Sequence, residues 1–288
     1  MRVGLALGSG GARGLAGIGV VDELRSRGHE VACVAGTSMG AVVGGALAAG
    51  KLEDAKGFVL GLTRPGLLRY LDPAVRAPGL LRGARIFAAL RDLIGDPRIE
   101  DLPIPYVAVA TDMAARCPVW LTSGPLLLAM RASVAIPVLF TPIMTGGRLL
   151  VDGGVLSPVP VAALRALAAS RGGGVDVTVG VSLFGAVDDP VVEPITVGLE
   201  AFEQGQPEQA GAELWQPLPG RLALGQAGLL AADVMQAELA RAQLAQQPLD
   251  VLIEVPTDAS SFADFDQAER LIEVGRGLAA QAFDAAGL

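Results

Sequence analysis

Histidine is nearly absent from this chain of 288 residues: His29 is the only one, Lys51 and Lys56 are the only lysines, and Cys33 and Cys117 are the only cysteines. Each scarcity closes off a chemistry. Two isolated cysteines without metal-ligand spacing give neither a disulfide framework nor a thiolate cluster, so both read as core or edge thiols and no metal is expected. Basic charge is also short, with 22 Lys and Arg against 30 Asp and Glu, a net charge of −8 and a pI near 4.8. Nucleic acid demands a basic surface, which argues against it as a partner, and the same balance argues against strong electrostatic docking on anionic lipid. A secretory leader is not expected either. Arg2 precedes a short apolar stretch, but glycines from Gly8 onward interrupt it and no small-residue cleavage pattern follows, so the mature chain is expected to begin at Met1 in the cytoplasm.

What is present is apolar residues (51%) punctuated by 38 glycines and 19 prolines spread along the whole chain, the pattern of many short elements in one compact body. Residues 31–50 contain no charge at all, long enough for a membrane span of ~20 residues. Gly36, Gly40, Gly44, Gly45 and Gly50 favour another reading, a buried strand over 31–35, a sharp turn over 36–40 and a helix over 41–49. Strand 2–7, the glycine turn at 8–11, a helix with Leu15, Ile18, Val21 and Leu24 on one face, and strand 31–35 form a βαβ unit with parallel strands. Further strands are expected at 104–111, 119–122, 144–151 (a hairpin around Gly146–Gly147), 175–183 and 250–255. Helices are expected at 86–93, 126–133, 158–169, 222–247 and 264–285. Residues 62–100 read as a cap insertion and 185–220 as a mobile loop. The expectation is an α/β fold, a single domain over 1–288 with a mainly parallel central sheet flanked by helices in three layers.

Gly36-Thr37-Ser38-Met39-Gly40 fits G-x-S-x-G, a strained strand-to-helix turn that pushes a serine hydroxyl out at a helix N-terminus. The competing account is an N-cap serine among packing glycines. A nucleophilic serine needs a base, and His29 sits at the N-terminal end of the strand whose C-terminal end carries Ser38. Five or six extended residues separate them by ~17–20 Å, which rules out a Ser-His-Asp triad and leaves a carboxylate. Asp152, at the end of an apolar strand and before Gly153-Gly154, is the leading candidate, although Asp-Gly is also a common turn former; Asp112, Asp72 and Asp188 compete from ordinary turn settings. The first glycine turn misses the dinucleotide spacing because Arg13 stands where the third glycine belongs. Its N–H groups suit a phosphate or a tetrahedral oxyanion alike, and a plain tight turn remains the third account.

Gly8-Ser9-Gly10-Gly11-Ala12-Arg13-Gly14, Gly36-Thr37-Ser38-Met39-Gly40 and Asp152-Gly153-Gly154 resemble, in the same order, the three motifs of the patatin-like phospholipases. Val109-Ala110-Thr111-Asp112, the stretch from Arg131 to Pro137 and the closing helix are similar to compact bacterial members, so the resemblance covers nearly the whole chain. Ser9 occupies a position that is often glycine in plant patatins.

The resemblance implies a cofactor-free serine esterase of phospholipase or lysophospholipase type with a Ser38-Asp152 dyad and an oxyanion hole at Gly10, Gly11 and Arg13. Gly8, Gly14, Gly36, Gly40, Gly153 and Gly154 would support the motifs. A lipid or small acyl ester would be the partner, with transient contact at a membrane surface. Apolar neighbours Leu150, Val151 and Val155 would raise the Asp152 pKa, and 126–130 with 138–140 would wall an acyl chain. Two rivals stay open, a catalytically idle regulatory module on the same fold and a Rossmann-type nucleotide-binding protein.

Overall fold

The computed structural model describes residues 1–74, 78–170, 174–186 and 224–288, so the loop expected at 185–220, with Asp188, lies almost wholly outside the described residues. Strands β1 (Arg2–Leu7), β2 (Glu30–Thr37), β4 (Tyr106–Asp112), β9 (Val177–Gly185) and β10 (Val251–Pro256) make the parallel part of one sheet. β5 (Cys117–Leu121), β7 (Ile143–Thr145) and β8 (Arg148–Asp152) add an antiparallel side, and the order is β10-β9-β1-β2-β4-β8-β7 with β5 paired to β4. The charge-free run at 31–50 divides as a strand and a helix: β2 ends at Thr37 and α2 spans Met39–Ala48, closed by Gly50 at φ 69°.

Both faces of the sheet are covered, which is why its parallel strands are apolar without alternation. On one face α1 (Ala16–Ser26), α2 and a C-terminal helix over Ala268–Ala286 pack on Val3, Leu5 and Leu7; on the other α7 (Val161–Ser170) and a helix over Leu224–Gln246 pack on Ala6, Cys33 and Ala35. In chain order these last two helices are α8 (Leu224–Gln246) and α9 (Ala268–Ala286). The three-layer expectation therefore holds. α1 and α9 cross closely because Gly19 and Gly275 each face the other helix's backbone, where a Cβ would collide.

Between α3 (Leu52–Leu60) and β4 lies the region expected as a cap. It holds α4 (Arg64–Leu67), β3 (Gly79–Leu81) and α5 (Ala84–Ile94), and β3 pairs in parallel with β6 (Val138–Phe140) as a small separate sheet. The Asp72 carboxylate accepts the N–H groups of Gly83, Ala84 and Arg85, an anion set on the positive end of α5. Asp72 is thus a structural residue of this region. No described helix is long and apolar enough to cross a membrane.

Candidate active site

The sheet register brings Ser38 and Asp152 together. β5 pairs with residues 108–112 of β4, so β2 and β8 must share the other edge: β2 runs parallel up to Thr37 opposite Val109, and β8 runs antiparallel down to Asp152 opposite Ala110. Two strand ends therefore meet head-on beside consecutive residues of β4, one followed by the serine and the other ending in the aspartate. Gly153 follows immediately, and any Cβ there would strike the Val109 carbonyl and the Thr37 methyl. The turn can close only with glycine.

Ser38 has φ 55° and ψ −124°, a conformation that costs a non-glycine residue on the order of 1–3 kcal/mol and survives only where the surroundings impose it. The constraints are visible. Gly36 approaches the Gly40 carbonyl and Ala41, Gly40 abuts the Leu7 and Gly8 carbonyls at the end of β1, and the Ser38 N–H donates to Ser133 Oγ at 2.8 Å. The Ser133 hydroxyl donates to the Val109 carbonyl at 2.6 Å, and the Asp152 N–H donates to the Ala135 carbonyl at 2.9 Å. The end of α6 (Leu126–Ser133) and the residues just after it thus hold both partners.

The Ser38 hydroxyl donates to Asp152 Oδ2 at 2.6 Å, and Oδ1 accepts the Gly154 N–H at 2.7 Å. Both residues are buried, Ser38 at 3% exposure and Asp152 at 4%. Burial pushes the Asp152 carboxyl up to about 7, opposed by the two hydrogen bonds, which favour the ionised form. Leu150 and Val151 are buried as expected, whereas Val155 is 37% exposed. Asp112 is a turn former: its carboxylate takes the Ala115 and Ala114 N–H groups and an ion pair from Arg148, which keep its pKa low. His29 stands across the eight residues of β2 from Ser38, half-buried near the Met1 ammonium group, and burial lowers its pKa.

The first glycine turn abuts the same site. Gly10 (φ 155°) and Gly11 (φ 59°) hold conformations that favour glycine, and Gly14 lies against Met39, next to Ser38. The N–H groups of Gly8, Ser9 and Ala12 donate to the Val181, Pro158 and Phe262 carbonyls, which leaves little of a pyrophosphate cradle and makes Gly10 and Gly11 the remaining donors of the turn. Arg13 is buried at 3% exposure, where a surface arginine would also fit the sequence. Its Nε donates to the Gly10 carbonyl at 3.3 Å and its Nη1 to the Thr257 carbonyl at 3.0 Å; Nη2 pairs with Asp233, and the guanidinium lies over Phe184. A trans peptide sets C=O and N–H antiparallel, so holding the Gly10 carbonyl fixes the direction of the Gly11 N–H.

Gly11, Ser38 and Met39 form part of the wall of an apolar cavity of about 520 Å³. Its other walls come from α2, α3, α4, α5 and the 262–266 segment, with Phe87, Leu90, Leu139 and Phe140 among them. The expectation for 138–140 is met in part. That for 126–130 is not: Leu126 and Met130 are fully buried against α2, where Gly45 makes room for the Met130 methyl. Sequence reasoning also missed Ser133, Asp233 and Gln236, whose Oε1 accepts the Ser9 hydroxyl at 2.6 Å. A lone hydroxyl in an apolar helix end was the available signal for Ser133; nothing local marks the two α8 residues. Among the described residues no cluster of side chains could hold a metal ion.

Comparison with known proteins identifies a family. Residues 5–165 match the model of the patatin-like phospholipase family. An uncharacterized NTE family protein of Mycobacterium tuberculosis is 39% identical over 99% of this chain and 92% of its own length. The neuropathy target esterase of Drosophila melanogaster is 31% identical over 59% of this chain and 12% of its own. The crystal structure of VipD from Legionella pneumophila covers 99% of this chain at TM-score 0.55 and 16% identity, a likeness of fold, and this chain spans 66% of VipD.

Proposed function

This chain belongs to the patatin-like phospholipase family, a family of lipid hydrolases, and we propose that it is a serine acyl hydrolase cleaving carboxylic esters of lipids through Ser38 and Asp152. The observation behind the reading is the 2.6 Å hydrogen bond from Ser38 to a buried carboxylate beside an apolar cavity. Ionised Asp152 takes the Ser38 proton as Oγ attacks the ester carbonyl. The carbonyl oxygen becomes an oxyanion held by the N–H groups of Gly10 and Gly11, with Arg13 keeping the turn in place. Collapse breaks the ester C–O bond, and the proton on Asp152 leaves with the alcohol. Water then gives a proton to Asp152 as it attacks the acyl-serine carbonyl, and collapse breaks the acyl C–Oγ bond, with Asp152 returning that proton to Ser38 Oγ as the fatty acid leaves. No cofactor enters any step.

A base with a pKa of about 7 is matched to neutral pH, and burial achieves that match without histidine. A fluorophosphonate probe should label the wild-type protein at Ser38, and the same protein should turn over p-nitrophenyl acyl esters. Ser38→Ala should lose both, with hydrolysis down by at least ~10³-fold and the fold retained, because alanine adds no bulk. A Ser38→Ala protein that still hydrolyses esters would place the nucleophile elsewhere, and a labelled wild type without turnover would favour the idle regulatory module.

A further inference from the structure

Net charge conceals where the charge sits. Residues 62–91 hold six of the 22 basic residues, all arginine, and Asp72 is their single acid, a local net of +5 in a chain of −8. Asp72 is engaged with the N–H groups that open α5, so it does little to offset them. Arg69, Arg82 and Arg85 are exposed and form no ion pair among the described residues, and Arg85 reaches over the Arg69 and Leu71 carbonyls while the Arg82 N–H donates to the Asp72 carbonyl, which brings the two arginine-bearing stretches of backbone side by side. Arg64 is different, since it pairs with Asp266 across the cavity wall.

Large apolar side chains stand among these arginines. Leu68 is 64% exposed, Leu80 61% and Leu71 42%, and Leu68 and Leu71 also line the cavity that contains Ser38. Val138, next to Gly79 across the β3–β6 pair, is exposed at φ 72°, a strained state for a β-branched residue. Exposed leucines interleaved with unpaired arginines at the rim of an apolar cavity match a surface that lies in a lipid interface, apolar groups among acyl chains and cations among headgroup phosphates.

We propose that the face formed by Leu68, Leu71, Leu80, Arg69, Arg82 and Arg85 docks on a bilayer surface rich in anionic phospholipid and so presents the cavity mouth to it. The inference rests on the acyl-hydrolase reading for its purpose but not for its measurement. Asp266 beside the cavity is paired with Arg64, which leaves Arg69, Arg82 and Arg85 as the uncompensated charge of this face, and at physiological salt charge beyond ~8 Å is largely screened, so these arginines govern close approach.

The test is sedimentation of the full chain with vesicles of phosphatidylcholine mixed with phosphatidylglycerol, against vesicles of phosphatidylcholine alone. Each arginine at an anionic surface contributes about fivefold to partitioning. Wild type should therefore prefer the anionic vesicles and lose that preference as salt is raised. Arg69→Glu/Arg82→Glu, at two side chains that form no hydrogen bond among the described residues, should bind anionic vesicles at least ~10-fold more weakly while keeping full turnover of a soluble p-nitrophenyl ester. If that variant melts early, Arg69→Gln/Arg82→Gln and the wild-type salt series make the same decision. Equal binding to both vesicle types, no binding to either, or a variant that binds like wild type would overturn the docking face. Ester turnover is read separately, so its absence would count against the hydrolase reading alone.

Discussion

Around Ser38 nearly every group is buried and tied: Ser38, Asp152, Ser133 and Arg13 lie at 8% exposure or less, and each has a hydrogen-bond partner fixed by strand register or a glycine turn. Across the same cavity, the cap exposes leucine and arginine together; its α5 packs on α6, and the Arg131 guanidinium grips the Arg82 and Thr141 carbonyls and stacks on Phe140. The floor has the rigidity that a reacting geometry needs. The cap has the surface that a lipid interface needs. Under the proposed function, chemistry and substrate access fall to regions that can be perturbed one at a time.

The sharpest way to separate them is in the floor. Ser133→Ala leaves the Ser38 N–H and the Val109 carbonyl without their buried partner, a cost of ~1–3 kcal/mol, and frees the strained elbow to relax. Steady-state kinetics on a short soluble ester should show kcat down by ~10–100-fold with KM little changed. An unchanged kcat would mean that the elbow is held by its glycines alone.

A substitution in the cap should behave in the opposite way. Leu71→Ser removes apolar wall from the cavity but touches nothing that reacts, so KM for a long-chain ester should rise by less than ~10-fold while kcat on a short ester stays level. A kcat loss on the short ester would break the division between floor and cap.

His29→Gln should have the smallest effect. The eight residues of β2, ~25 Å of extended chain, separate it from Ser38, so kcat should match wild type within twofold. A large loss in a folded variant would revive a histidine mechanism and contradict the dyad.

Much of the floor was legible because it is written in local signals. G-x-S-x-G between an apolar strand and a small-residue helix specifies its own geometry, and the excluded His29 directs attention to a carboxylate. The pairing that brings Asp152 to Ser38 was less legible. It depends on β8 ending opposite Ala110 while β2 ends opposite Val109, a register set by long-range packing and not by any single stretch. Arg13 stands in the expected oxyanion loop, but its partner Asp233 lies 220 positions away, where no local pattern links the two. The charge of the cap is hidden for another reason: a net charge of −8 averages over the whole chain and says nothing of six arginines within residues 62–91. The helix boundaries at 126–133 were right, but its apolar side faces α2 instead of the cavity, a choice that a period of 3.6 residues cannot make.

Asp152 bears the weight of the account, and the pH dependence of kcat/KM for wild type and Asp152→Asn tests it most directly. The folded carboxyl titrates near 7, above its unfolded value of ~3.9, so the native state binds the extra proton between those limits. Stability from this group is present at acid pH and is lost as pH rises through 7, and Asp152→Asn, which cannot ionise, should melt higher than wild type at pH 8. Activity runs the other way, since only the ionised form accepts the Ser38 proton. Wild-type kcat/KM should climb about tenfold per pH unit up to pH 7 and then level, and the Asn variant should be flat and at least ~10²-fold slower. A wild-type profile that is flat from pH 5 to 8, or an Asn variant that keeps both rate and slope, would contradict the assignment of Asp152 as the base.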